Sequence, residues 1–212
     1  MSENSAGTTR HRSPFEGHKA GARPTASGQL GVLLHAETLP GLLLIATWAS
    51  GIAALRSALA AALEVTQVPD RTGLVVTVPA GSLMCTGPQE YQLLTTSDEG
   101  RVAALRRHVG PDIGSVTDLG HARCRIRISG ARCRDTLSKL FALDQREAAW
   151  PVGELRLTGH HHVPCLAHRR ATDGFDLYVF STFAFDQLET LLDAAQEYGV
   201  ALELGTGTTT ID

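Results

Sequence analysis

The chain has no surplus of positive charge. Its 212 residues carry a formal net charge of -3, so it lacks the basic footprint of a dedicated nucleic-acid or membrane-surface binder. It also lacks a C-x-x-C pair. Cys85, Cys124, Cys133 and Cys165 are scattered singly, which indicates neither a zinc knuckle nor a dense disulfide framework. They read as reduced, buried thiols of a cytoplasmic protein. There is no G-x-S-x-G nucleophile elbow and no cysteine in a nucleophile signature. A phosphate-cradling P-loop is missing, and Gly205-Thr206-Gly207 has no helix after it on which a dinucleotide could rest. Residues 1–28 have no apolar stretch of the secretory type. The uncharged run Leu39 to Leu55 is 17 residues long, short of the roughly 20 that span a bilayer. With Pro40 and the break Trp48-Ala49-Ser50-Gly51 inside it, the run reads as a strand feeding a helix.

What is present fits an ordinary globular chain, 43% apolar and 19% charged, long enough for a real core. Charge is unevenly placed. Eight arginines lie between Arg101 and Arg134 against only Asp112 and Asp118, whereas no Lys or Arg follows Arg170 and eight carboxylates, from Asp173 to Asp212, do. The two regions are electrostatically complementary, toward each other or toward different partners.

The polar arm 1–28 has a single aromatic, Phe15, too little apolar area to fold alone. It is expected to be disordered or laid on a partner, and the tail 205–212 to be flexible. Between them, residues 29–120 and 121–204 read as two similar modules. In the first, Leu42 to Trp48 is a strand and Ile52, Leu55, Leu59 and Leu63 mark an amphipathic helix. Strand-like segments follow at Leu74 to Val78, Ser82 to Cys85 and Tyr91 to Thr95, then a helix over Glu99 to His108 and a strand over Ile113 to Leu119. In the second, Arg123 to Ser129 alternates strictly, with arginines on one face and Cys124, Ile126 and Ile128 on the other. A helix bearing Cys133, Leu137, Leu140 and Phe141 comes next, then strands over Glu154 to Leu157, Val163 to His168 and Phe175 to Phe180. The last helix, about Phe183 to Tyr198, is expected to take Ser181 or Thr182 as N-cap and Gly199 as its stop, before a strand over Val200 to Leu204. The order β-α-β-β-α-β, twice, predicts an α+β fold of two ferredoxin-like halves with antiparallel sheets.

Two clusters invite a chemical reading. His160-His161-His162, with His168 beyond, suggests either a turn or strand surface or a metal site. Alternate residues of a strand face opposite ways, so only His160 and His162 could converge, and two imidazoles do not make a closed zinc site. The arginine face of Arg123, Arg125 and Arg127 is either a solvated sheet face paired across strands or a contact for another protein. It has no interleaved aromatics of the kind that read single-stranded nucleic acid.

Read as a string, Val116 to Gln145 resembles the γ subunit of heterotetrameric sarcosine oxidase, through Asp118, Gly120, Arg123, Ile128, Ser129, Gly130, Arg134, Asp135, Leu137, Lys139, Leu143 and Asp144. Arg12-Ser13-Pro14-Phe15, Gly87-Pro88-Gln89-Glu90-Tyr91 and the stretches Phe175 to Val179 and Leu191 to Ala195, on to Tyr198-Gly199, extend the likeness over nearly the whole chain. It is weakest between Leu39 and Thr86. Ala131, Cys133, Gln89 and Tyr91 depart from the family pattern. The resemblance implies a fold like the folate-binding domain of the glycine-cleavage T-protein. It further implies partnership with α, β and δ subunits that carry FAD, FMN, NAD, tetrahydrofolate and zinc, with no catalytic, cofactor or metal residue on this chain. Such complexes oxidise the methyl group of sarcosine or a similar secondary amine and pass the one-carbon unit to tetrahydrofolate. Arg123, Arg125 and Arg127 are the expected subunit contact. The alternative is an autonomous folate-binding or one-carbon transferase protein.

Overall fold

The computed structural model describes residues 13–48, 51–95, 99–160 and 162–205. The arm residues 1–12, the tail 206–212 and His161 lie outside the described residues. In chain order the elements are β1 (Gly21–Arg23), β2 (Val32–Thr38), β3 (Leu42–Thr47), α1 (Ile52–Leu63), β4 (Val75–Val78), β5 (Gly81–Gly87), β6 (Glu90–Thr95), α2 (Glu99–His108), β7 (Gly114–Asp118) and β8 (Arg123–Ser129). They continue with α3 (Cys133–Ser138), β9 (Leu155–His160), β10 (Val163–Ala171), β11 (Gly174–Phe180), α4 (Ala184–Ala195) and β12 (Val200–Gly205).

The strands form two sheets. The first runs β4-β5-β6-β3-β7. Without the edge hairpin strand β4 this is the ferredoxin-like order, and α1 and α2 close one face of it. Leu55, Leu59 and Leu63 of α1 and Leu105 and Val109 at the end of α2 bury against Leu43, Ile45, Leu83, Tyr91 and Leu93, as the helical and alternating periods of these segments require. The second sheet runs β1-β12-β2-β8-β11-β10-β9. Here Cys124, Ile126, Ile128, Leu177 and Val179 pack beneath α3 and α4, with Leu188, Leu191 and Leu192 above them. A third cluster, including Leu42, Met84, Leu94, Leu155, Leu166 and Tyr178, joins the outer faces of the two sheets.

The second sheet departs from the expected ferredoxin-like order by one insertion. β2 pairs parallel with β12 and antiparallel with β8, and so separates two strands that would otherwise be neighbours. Val32, Leu34 and Ala36 of β2 enter the helix-covered core, while Leu33, His35 and Glu37 face the other way. The expected boundary at residue 29 therefore cuts through a sheet. The arm is also corrected over residues 13–28: Phe15 is 2% exposed inside the core under α4, and β1 pairs with β12. A single buried aromatic and three strand residues hold it to its own chain. Gly199 helps to receive it. At φ +72 it stops the last helix, and a Cβ there would fall 2.1 Å from the Gln29 carbonyl, so the close approach needs glycine. Neither expected N-cap is used. α4 begins after a 3₁₀ turn over Ser181–Phe183, and the Ser181 hydroxyl donates to the His121 carbonyl at 2.8 Å.

Candidate functional site: the ionic face of the seven-stranded sheet

The alternation of β8 sends Arg123, Arg125 and Arg127 to the face away from α3 and α4, and the strand register decides what they meet. Arg125 lies between Tyr178 of β11 and Glu37 of β2; Arg127 lies between Asp176 and His35; Arg123 is opposite Phe180. Arg125 donates from Nε and Nη2 to Glu37 Oε1 at 2.8 and 2.6 Å and lies 3.7 Å from Asp176. Arg127 approaches the same two carboxylates at 3.4 and 3.6 Å, and Arg170 approaches Asp176 at 3.7 Å. His35 bridges Glu37 at 3.6 Å and Glu203 at 3.3 Å. Across five strands, His168, Asp176, Arg127, His35 and Glu203 thus form one row of the ladder.

Glu37 is fully buried, Asp176 is 2% exposed and Arg125 6%. Burial opposes the charge on Arg125, but Asp176, Tyr178 and Glu37 outweigh it and hold its pKa above the ordinary value. The arrangement satisfies the rule that buried charges are paired. Arg123 is occupied too: its guanidinium donates to the Tyr178 carbonyl at 3.2 Å and lies 4.2 Å over the Phe180 ring. The arginine strand is therefore mostly an internal lock. Solvent reaches Arg127, Arg170, His35 and Glu203, whose side chains are 31%, 45%, 28% and 62% exposed.

His160 is not on a strand surface. It is fully buried, its ring 5.2 Å from that of Phe141; His162 occupies the following turn at φ +67. Among the described residues no group of three or more His, Cys, Asp or Glu side chains is placed to hold a metal ion. The four cysteines are free and buried, and burial pushes the thiols of Cys133 and Cys165 up to about 11 and about 12, far from a reactive thiolate.

Two residues that local pattern does not single out organise the loops, Arg169 on the helix-covered side of the second sheet and Glu154 at the join between the sheets. Arg169, 1% exposed, donates to the carbonyls of Gln145, Trp150 and Thr172 and pairs with Glu147. Glu154 accepts from Arg71 and Arg156, and Leu155 N–H donates to the Gly73 carbonyl. Loop contacts of this kind leave no periodic signal. The pockets lined by described residues are open surface depressions. One of about 430 Å³, lined by Arg134, Asp135, Asp144 and Arg146 among others, has its arginines already matched to Asp173 and Asp144.

No known family profile matches the sequence, and no curated protein does. Solved structures do match. The chain has the fold of a sarcosine oxidase chain. Over 95% of its length it superposes on 99% of a chain of heterotetrameric sarcosine oxidase from Corynebacterium sp. U-96, with a TM-score of 0.74 and 21% identity. Glycine cleavage system aminomethyltransferase T from Bartonella henselae matches over 82% of this chain and 48% of that one, with a TM-score of 0.59 and 15% identity. The chain thus spans about half the length of the T-protein. The likeness is one of fold, two ferredoxin-like modules whose strands pair antiparallel except where β2 meets β12 in parallel, and the resemblance carried by Val116 to Gln145 points to the same kind of oxidase. No helix among the described residues is long and apolar enough to cross a membrane.

Proposed function

We propose that the chain is the γ-type subunit of a sarcosine-oxidase-type flavoenzyme, and that it acts by stabilising the assembly. The observation that carries this reading is the match in both directions, 95% of this chain against 99% of the other. It fits a chain that corresponds to one whole subunit of such a complex. FAD, FMN, NAD, tetrahydrofolate and zinc then belong to the α, β and δ subunits. In support, Arg125 and Arg123 are already engaged by a carboxylate, a carbonyl and a ring within the chain. The subunit contact expected on Arg123, Arg125 and Arg127 narrows to the open end of the ladder, where Arg127 and Arg170 stand beside His35 and Glu203. Obligate interfaces of such complexes bury roughly 2,000–5,000 Å², so this end supplies one part of a larger contact.

The test is co-expression of the tagged chain with flavoenzyme α and β subunits and a short δ subunit encoded beside it. A yellow complex that oxidises sarcosine or a related secondary amine is the expected result. Elution of the chain alone, with flavoprotein left in the flow-through, refutes the reading. The T-protein likeness favours one alternative, an autonomous folate-binding protein. Titration calorimetry of the isolated chain with tetrahydrofolate separates the two, since a subunit of the proposed kind gives no binding heat.

A further inference from the structure

A sheet edge displays unpaired N–H and C=O groups, and proteins normally shorten or cover it. Three of the four edges here follow that rule. β1 has three residues and β4 four. β7 has five, with the Arg106 Nε and Nη2 both 3.4 Å from its Val116 carbonyl. β9, with six, is the longest edge.

The Leu155 N–H points away from β10, because it donates to the Gly73 carbonyl at 2.8 Å. In an antiparallel strand these directions alternate, so the N–H and C=O groups of Leu157 and Gly159 point the same way. Among the described residues the cover stops there. Leu74 makes an antiparallel bridge with Glu154, but its own N–H turns back to the Arg71 carbonyl at 3.3 Å and takes the chain off the edge. Arg156 covers only the Leu155 carbonyl of this edge, since its guanidinium bonds the Leu155 and Ala149 carbonyls and pairs with Glu154. Leu157-Thr158-Gly159 contains neither charge nor proline, and the Leu157 side chain is 55% exposed.

We propose that this edge receives an extended, uncharged segment of another subunit by strand addition, continuing the line that Gly73 and Leu74 begin, with an apolar side chain laid over Leu157. The inference rests on the assembly reading above. Two outward-facing residues supply about four main-chain hydrogen bonds, below the roughly ten of a standard stable interface of about 1,600 Å². That suits one strand of a large heteromeric contact and not a homodimer held by this edge.

Leu157→Pro tests it with little damage to the ladder, because the N–H it removes faces outward. Leu157→Lys, which places a charge on the edge, is a second variant that keeps the backbone donor. In the purified complex the Leu157 and Gly159 amides should exchange with deuterium at least tenfold more slowly than in the free chain. Both variants should cut recovery of partner subunits about tenfold while the free chains keep the wild-type melting temperature. Equal exchange in the free and assembled chain, or full recovery with both variants, overturns the inference and leaves the assembly reading intact. A free chain that dimerises, and loses the dimer in Leu157→Pro, overturns it in favour of a second copy. Failure of the wild-type chain to recover any flavoprotein removes the reading and the inference together.

Discussion

The five-stranded sheet takes all its strands from residues 42–118, whereas the seven-stranded sheet draws β1 and β2 from residues 21–38 and the rest from 123–205. Their outer faces differ accordingly. The first presents Leu42, Met84 and Leu94 to the join between the sheets. The second presents Leu155, Leu166 and Tyr178 there, but beside them, where β2 enters, it presents Glu37, Arg125, Arg127 and Asp176. A local sheet needs only its hydrophobic period to find its register. A strand arriving from far away in sequence brings a loop-closure cost and a choice of register, and the fully buried Glu37 fits only where Arg125 can answer it. We read the ion ladder as the device that specifies where β2 inserts.

The largest effect should come from breaking that device. Arg125→Ala leaves Glu37 buried without its main partner and should cost about 3–5 kcal/mol, read as a shift in the urea midpoint. Replacing the pair together, Arg125→Met with Glu37→Leu, should recover much of the loss, whereas full recovery of β2 protection in hydrogen exchange would show that charge is not what sets the register. Next, Phe15→Ala should cost about 3 kcal/mol and expose the arm to limited proteolysis, leaving the five-stranded sheet untouched. An unchanged cleavage pattern would mean that the arm is held elsewhere.

The pH dependence sharpens the contrast further. Burial lowers the pKa of His168, at one end of the ladder, below its ordinary 6.5, with Asp176 partly opposing. The unfolded chain then binds more protons, so stability is full above about pH 6.5 and falls as pH drops through the folded value. His168→Gln should flatten that limb. Glu154, held below its ordinary 4.5 mainly by Arg71, with burial opposing and Arg156 assisting, acts in the same sense: its stabilisation is full above about pH 4.5 and is lost as pH falls below that. The smallest change should be Glu154→Gln, worth about 1 kcal/mol at neutral pH because Arg71 is largely exposed. Its signature is a loosened join between the sheets, seen as faster exchange of the Leu155 amide.

Much of the fold is legible in the chain. The helical spacing of Leu55, Leu59 and Leu63, the alternation of Arg123 to Ser129 and the Gly199 stop each correspond to an element in place. β2 escapes such reading because His35 and Glu37 make its outward face look like a loop, and their burial depends on Arg125 and Arg127, some 90 residues on. His160 escapes for the converse reason. A histidine triplet looks exposed, yet His160 ends β9 on its helix-covered face, fully buried against Phe141.

The sequence by itself determined the two-module plan, the faces of β8 and the likeness to a sarcosine oxidase γ chain, because local periodicity and short motifs are properties of neighbouring residues. Only the tertiary structure decided that residues 13–28 pack on this chain, that the arginine face is largely closed, and that among the described residues β9 keeps an open edge. Those facts depend on which distant groups meet, and a buried carboxylate or an unpaired amide acquires its meaning only from the strand laid beside it or missing there.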